Sequence, residues 1–170
     1  MVECDIGLVY GGGNVGIMGA LASSVLKAGG RVTGIIPRHL AEKEVAFLDL
    51  SDLRIVETMH ERKALMEKIS NGFIALPGGL GTIEEFFEVL TWAQLSMHQK
   101  PCGLLNVCKY YDKLLEFLDH TVTQQFVEND HRQMIIIENE PIKLIERFRS
   151  YFPPVTDKAK WALKMNNSSE

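Results

Sequence analysis

Along this chain, short apolar runs alternate with longer amphipathic ones, and the changes of period are marked by glycine and proline. Ile6 to Tyr10 predicts a strand, after which Gly11-Gly12-Gly13-Asn14-Val15-Gly16 opens a helix that runs to about Lys27 and stops at Gly29-Gly30. Val32 to Ile36 predicts the next strand, closed by Pro37. A connection, Arg38 to Asp52, then leads to strand Leu53 to Glu57 and helix Met59 to Ser70. Phe73 to Leu76 reads as a buried strand, ended by Pro77 because proline cannot donate to a ladder. Helix Thr82 to Met97, strand Cys102 to Val107, helix Tyr111 to Phe126, strand Met134 to Ile137 and helix Pro141 to Tyr151 follow. Beyond Pro153-Pro154, residues 155–170 form a polar tail expected to fray.

Six strands alternating with helices, several of them continuously apolar, predict an α/β protein. The expected architecture is one domain over residues 1–154, a Rossmann-like doubly wound parallel sheet with helices on both faces. Ligands of such sheets sit beyond the carboxyl ends of the strands. Both glycine-rich loops, after Tyr10 and after Leu76, follow strand ends and are expected on that edge.

The second loop is the stronger chemical signal. Gly78, Gly79 and Gly81 remove side chains that would keep an anion from backbone N–H groups, and Thr82 then opens a helix whose N-terminus is partially positive. Thr82 and Glu85 also have the spacing of a capping box, so a turn built for packing alone is the competing reading. Gly11-x-Gly13-x-x-Gly16 matches a dinucleotide fingerprint in spacing. The next strand, however, ends Ile36-Pro37-Arg38 without the carboxylate that would hold a ribose, which leaves close packing and a lining role for this loop.

Thr58 and Glu61 make a second capping box, placing Arg62 and Lys63 in or just after a first helical turn, where the helix dipole disfavours cations. Two such cations suit a phosphate and a developing charge, against the alternative of a solvated basic pair. On the helix from Thr82, Glu84, Glu88 and Thr91 fall on one polar stripe with Glu85 beside it. A solvated face explains the stripe as well as a sugar site does. Carboxylates near a sugar are what glycosidic cleavage needs, because its transition state resembles an oxocarbenium cation. The same helix is apolar nearly all round, which predicts burial on two sides, one of them against a second subunit.

Composition narrows the field. The 170 residues are 46% hydrophobic and 24% charged, enough for one real core. A net charge of -4, with no basic run, disfavours a nucleic-acid partner and leaves a small anionic ligand. Cys4, Cys102 and Cys108 are an odd number without metal-like spacing, read as reduced, buried thiols, and the five histidines form no metal-binding cluster. No apolar run reaches the ~20 residues of a membrane span and no signal peptide opens the sequence, so a cytoplasmic location is expected.

With PGGLGTIEE, MHERK and GGGNVGIMGA identified, and LTWAQLSMHQKPCGLLN and YYDKLL beside them, the sequence resembles the Lonely Guy family of cytokinin riboside 5′-monophosphate phosphoribohydrolases from Ile6 to about Pro154. The resemblance implies hydrolysis of the N-glycosidic bond of an N6-modified adenosine 5′-monophosphate, or of AMP, to free base and ribose 5-phosphate. It implies no metal or organic cofactor, and dimers or larger assemblies. It makes Arg62 and Glu85 the catalytic pair. Lys63, Gly79, Gly81, Thr82 and Glu84 become nucleotide contacts, Glu44 and Thr91 two further ones, and Met59, Gly78, Gly12 and Gly13 lining residues. On this reading Glu85 stabilises charge at the anomeric carbon and orients or deprotonates water, while Arg62 holds the nucleotide as the purine leaves.

Members of the family usually begin with another strand, a Cys-Gly-Ser type loop and a helix ahead of the segment that starts here at Ile6. A chain without them is expected to miss a strand and part of its nucleotide site. Lys109 and Gln125 stand where a glycine is common. A lysine decarboxylase label has often been attached to the family, but no Schiff-base lysine with a partner for a pyridine nitrogen can be picked out here. A non-catalytic nucleotide-binding or carrier protein of the same fold is the alternative; it needs the phosphate seat but not Arg62 and Glu85.

Overall fold

The computed structural model describes residues 1–154, except the side chains of Glu44 and Val45; the tail over 155–170 lies outside the described residues. Contacts group the chain into two compact units, Met1–Ser70 and Asn71 onward.

In the first unit, β1 (Leu8–Tyr10), α1 (Gly16–Lys27), β2 (Val32–Pro37), β3 (Asp52–Val56) and α3 (Met59–Ile69) follow the predicted order. The strands pair in parallel in the order β1-β2-β3, with Leu8 opposite Val32 and Thr33 opposite Asp52. Central β2 carries Ile35 and Ile36, both almost wholly buried, as a strand covered on two faces requires. Leu8, Tyr10, Ala22, Val25, Val32, Phe47 and Leu50 form the core. The glycine stop of α1 is a Schellman motif. Gly29 is left-handed at φ 78°, its N–H donates to Leu26 O and that of Gly30 to Val25 O, both at 2.9 Å. The connection after β2 is more ordered than expected: α2 (Arg38–Leu40) passes into a π-helical stretch, Ala41–Val45. At this length, periodicity gives no helical signal.

The second unit contains β4 (Phe73–Ala75), α4 (Leu80–Gln94), β5 (Cys102–Leu105), a 3₁₀ turn (Val107–Lys109), α5 (Asp112–Thr123), α6 (Asn129–Gln133), β6 (Ile135–Glu138) and α7 (Pro141–Arg149). Its strands are again parallel, in the order β4-β5-β6. Ala75, Phe86, Val89, Cys102, Leu104, Tyr111, Leu118 and Ile135 make its core. The five-residue α6 falls where only a loop was read. The Rossmann-like alternation of parallel strands and helices is thus present, with the ladder bonds running as two three-stranded sheets.

Two sequence expectations need correction. The capping box at Thr82 and Glu85 does not form: α4 starts at Leu80 with Gly79 as N-cap and no side-chain cap, which puts Thr82 in the first turn. Glycine is itself an acceptable N-cap, so the local Thr-x-x-Glu signal loses to the earlier start. Of the three unbridged cysteines only Cys102 is buried, its thiol pushed up to about 12 by loss of water, whereas Cys4 is half-buried and Cys108 exposed. No group of residues suited to a metal, and no helix long and apolar enough to cross a membrane, occurs among the described residues.

One stability prediction arises from a helix end. α5 also closes in a Schellman motif, with Phe126 N–H donating to Thr121 O and Gln125 N–H to Val122 O, both at 2.9 Å, and Gln125 held left-handed at φ 64°. The steric cost of a side chain there exceeds the extra freedom a glycine gives the unfolded chain. Gln125→Gly is therefore expected to stabilise the protein by about 0.5–1 kcal/mol, a rise of roughly 2 °C in melting temperature. A calorimetric scan showing a lower melting temperature would contradict this.

Candidate active site

In the first unit, Met59, Arg62 and Lys63 lie in the opening turns of α3. Thr58 caps the helix by accepting from Glu61 N–H at 3.1 Å, and the Glu61 carboxylate accepts from Glu57 N–H at 2.9 Å. That box fixes the helix entry and sets Arg62 one turn in, only 9% exposed. Nη1 of Arg62 lies 3.7 Å from the Met59 sulfur. Its guanidinium rests on the backbone of Gly11, where a β-carbon would overlap Nη2 and lie 3.0 Å from Cζ. Gly11 therefore has no side chain because Arg62 occupies the space. At 9% exposure the guanidinium is buried, which is not the solvated basic pair of the alternative reading. Lys63 beside it is half-buried.

Gly12 and Gly13 are explained mostly by packing. Gly12 is left-handed at φ 73°, a β-carbon on it would come 3.1 Å from Cβ of Ile36, and its carbonyl accepts from Phe47 N–H at 2.8 Å. Gly13 bridges antiparallel to Ala46. Where a dinucleotide fold would present a carboxylate at the end of β2, the guanidinium of Arg38 meets Glu57 at 2.7 Å, pulling that carboxyl below the usual carboxylate range. Glu44 lies in the π-helical stretch, and its side chain is outside the described residues.

In the second unit the site residues line the loop from β4 into α4. Gly78 has a packing reason, since a β-carbon there would overlap Oγ1 of Thr82 and sit 2.8 Å from its Cβ. Gly79 and Gly81 have none: nothing lies within 4 Å of where their β-carbons would be. The leading amides of α4 have no helical carbonyl ahead of them and no side-chain cap, so they form an open, partially positive surface. One turn on, Glu84 is exposed and Glu85 and Glu88 are half-buried. Thr91 is exposed, its hydroxyl donating to Phe87 O at 2.7 Å.

The loop is held by two residues that sequence reasoning did not single out. Tyr110 donates its hydroxyl to Gly78 O at 2.8 Å and Tyr111 to Leu76 O at 2.5 Å. The YYDKLL segment was visible as part of a resemblance, but nothing in its spacing says that both hydroxyls reach back to a loop over thirty residues earlier. Gly11 was likewise read only as part of a fingerprint.

Comparison with known proteins gives these features a common setting. Residues 18–148 match a family profile described as "Possible lysine decarboxylase". The rice (Oryza sativa subsp. japonica) protein named cytokinin riboside 5′-monophosphate phosphoribohydrolase LOG is 44% identical over 99% of this chain and 69% of its own length. The Arabidopsis thaliana enzyme of the same name, LOG1, is 42% identical over 96% of this chain and 78% of its own length. A second rice relative, named as a probable enzyme of this type, LOGL2, is 44% identical over 96% of this chain and 68% of its own length. Identity at this level along nearly the whole chain means that the chain belongs to the Lonely Guy family of cytokinin riboside 5′-monophosphate phosphoribohydrolases.

Proposed function

We propose that this protein hydrolyses the N-glycosidic bond of a cytokinin riboside 5′-monophosphate, or of AMP, releasing the free base and ribose 5-phosphate. The observation that carries the proposal is Arg62, buried at the start of α3 with its guanidinium seated on a glycine that leaves room for it. A carrier that only cradles a phosphate needs the glycine loop but not a guanidinium held in this place. The amides at Gly79, Leu80, Gly81 and Thr82 receive the 5′-phosphate, with Lys63 adding a point charge. Glu84, Thr91 and Glu44 read the sugar and base, and Met59, Gly12, Gly13 and Gly78 line the nucleotide.

As the C1′–N bond lengthens, positive charge builds on the ribose and negative charge on the purine. The Glu85 carboxylate faces the first and orients the attacking water, which adds to C1′ while its proton leaves. The purine departs with a proton, and Arg62 stabilises the charge moving towards the leaving group. Incubation with N6-isopentenyl AMP and with AMP, followed by chromatography for free base, tests the reading. Binding of both without release of either base would replace the hydrolase with the carrier.

A cytoplasmic location is proposed as well, and the unbridged thiols suit it. It is also expected to self-associate through α4. Phe86, Val89 and Ala93 of that helix are buried within the second unit, but Phe87, Leu90 and Trp92 are only half-covered, and Leu95 and Met97 are 50% and 68% exposed. This leaves an apolar side for a second copy to complete. Sedimentation giving a stable monomer at micromolar concentration would remove the expectation.

A further inference from the structure

The loop entering α4 is oriented from behind. Tyr111 is 2% exposed and its hydroxyl bonds the carbonyl of Leu76, immediately before Pro77. Its own N–H donates to Asn106 Oδ1 at 2.7 Å, while Asn106 Nδ2 donates to Asp112 Oδ1 at 2.8 Å and Asn106 N–H to Glu138 O at 2.8 Å. Burial raises the pKa of this hydroxyl, which keeps it a proton donor. Tyr111 is thus an anchor built into the core.

Tyr110 differs. It is 53% exposed, its ring meets that of Tyr111 edge-on at 5.0 Å, and its hydroxyl takes the carbonyl of Gly78. The chain delivers both rings to the same loop after two consecutive left-handed residues, Cys108 at φ 52° and Lys109 at φ 61°, a conformation side chains seldom adopt. A peptide unit is planar and trans, so its carbonyl and N–H point in opposite directions. Holding the Gly78 carbonyl against Tyr110 therefore fixes the N–H of Gly79, the N-cap of α4, pointing away from the tyrosine. Gly79 has no side chain, and the space where its β-carbon would stand is open.

We infer that Tyr110 is a positioning residue for the phosphate end of the substrate: its hydroxyl, through Gly78, aims the Gly79 amide at the 5′-phosphate. This deepens the hydrolase reading and rests on it. A packing role would leave phosphate recognition untouched; a positioning role predicts a loss confined to ligands that carry the phosphate.

Tyr110→Phe removes the hydroxyl and keeps the ring. Affinities of wild type and variant are measured by calorimetry for N6-isopentenyl AMP and for the same nucleoside without phosphate, together with KM, kcat and melting temperature. The expected result is nucleotide affinity weakened about 5–10-fold and KM raised similarly, the loss of one well-placed hydrogen bond, with nucleoside affinity and melting temperature nearly unchanged. Tyr111→Phe, as the contrast, is expected to lower the melting temperature because it removes a hydrogen bond made by a side chain set in the core. Equal weakening of nucleotide and nucleoside by Tyr110→Phe, or no weakening of either, overturns the inference. Wild type that neither binds nor cleaves the nucleotide overturns the hydrolase reading on which it stands.

Discussion

Glu85→Gln is expected to cut free-base release by on the order of 10²-fold or more while leaving the fold and nucleotide binding in place. The substitution conserves shape and an acceptor oxygen but removes the negative charge that would face the developing oxocarbenium ion. From the sequence, a structural role competed with this one, because Glu85 could close a capping box with Thr82. The structure withdraws that competitor, since α4 begins at Leu80 with Gly79 as its N-cap and Thr82 already lies inside the first turn. Melting temperature, AMP affinity and base release measured on the same samples separate the cases. A variant that folds, binds and still turns over at near the wild-type rate would falsify the catalytic assignment.

Gly11→Ala should be nearly as damaging, through a different route. A methyl group at Gly11 occupies the space of Nη2 of Arg62, and what gives way is the end of a long flexible side chain rather than backbone. Activity is therefore expected to fall by about 10²-fold, the scale of a 1 Å misplacement of a reacting group, with the melting temperature changed little. Arg62→Lys supplies the control, because lysine cannot reproduce the guanidinium fork. If Gly11 acts only through Arg62, the double variant is no worse than Arg62→Lys alone. Additive losses would mean that Gly11 matters to the reaction in some other way.

What could be read from the sequence was what is local. The alternation of strands and helices, the glycine stop after α1 and the Thr58–Glu61 box each depend on residues within one turn or one strand, and each is present. Elements of three to five residues, such as α2 and α6, gave no signal because a periodic pattern needs more positions than they have. The start of α4 was misplaced by two residues where a threonine signal competed with a glycine that caps equally well. Contacts made across the fold were invisible. Gly11 and Arg62 are far apart in sequence, as are Gly78 and Tyr110, and only the structure explains Gly11 by a guanidinium and the tyrosine pair by a loop. Lys109 and Gln125, noticed as departures from glycine, prove to sit at left-handed backbone, so the departure has a conformational cost that the sequence did not reveal.

The strand order within each sheet has a kinetic consequence. Among the described residues every ladder joins strands that are neighbours along the chain, Leu8 with Val32, Thr33 with Asp52, Phe73 with Cys102 and Cys102 with Ile135. The entropy of closing such a loop rises only slowly with its length, and none of these pairings waits for a distant part of the polypeptide. Parallel sheets are ordinarily slow to form because their contacts are remote in sequence. Here the ladder of the first unit can zip while the residues of the second are still being synthesised, which shortens the time that unpaired strand edges are exposed on the nascent chain.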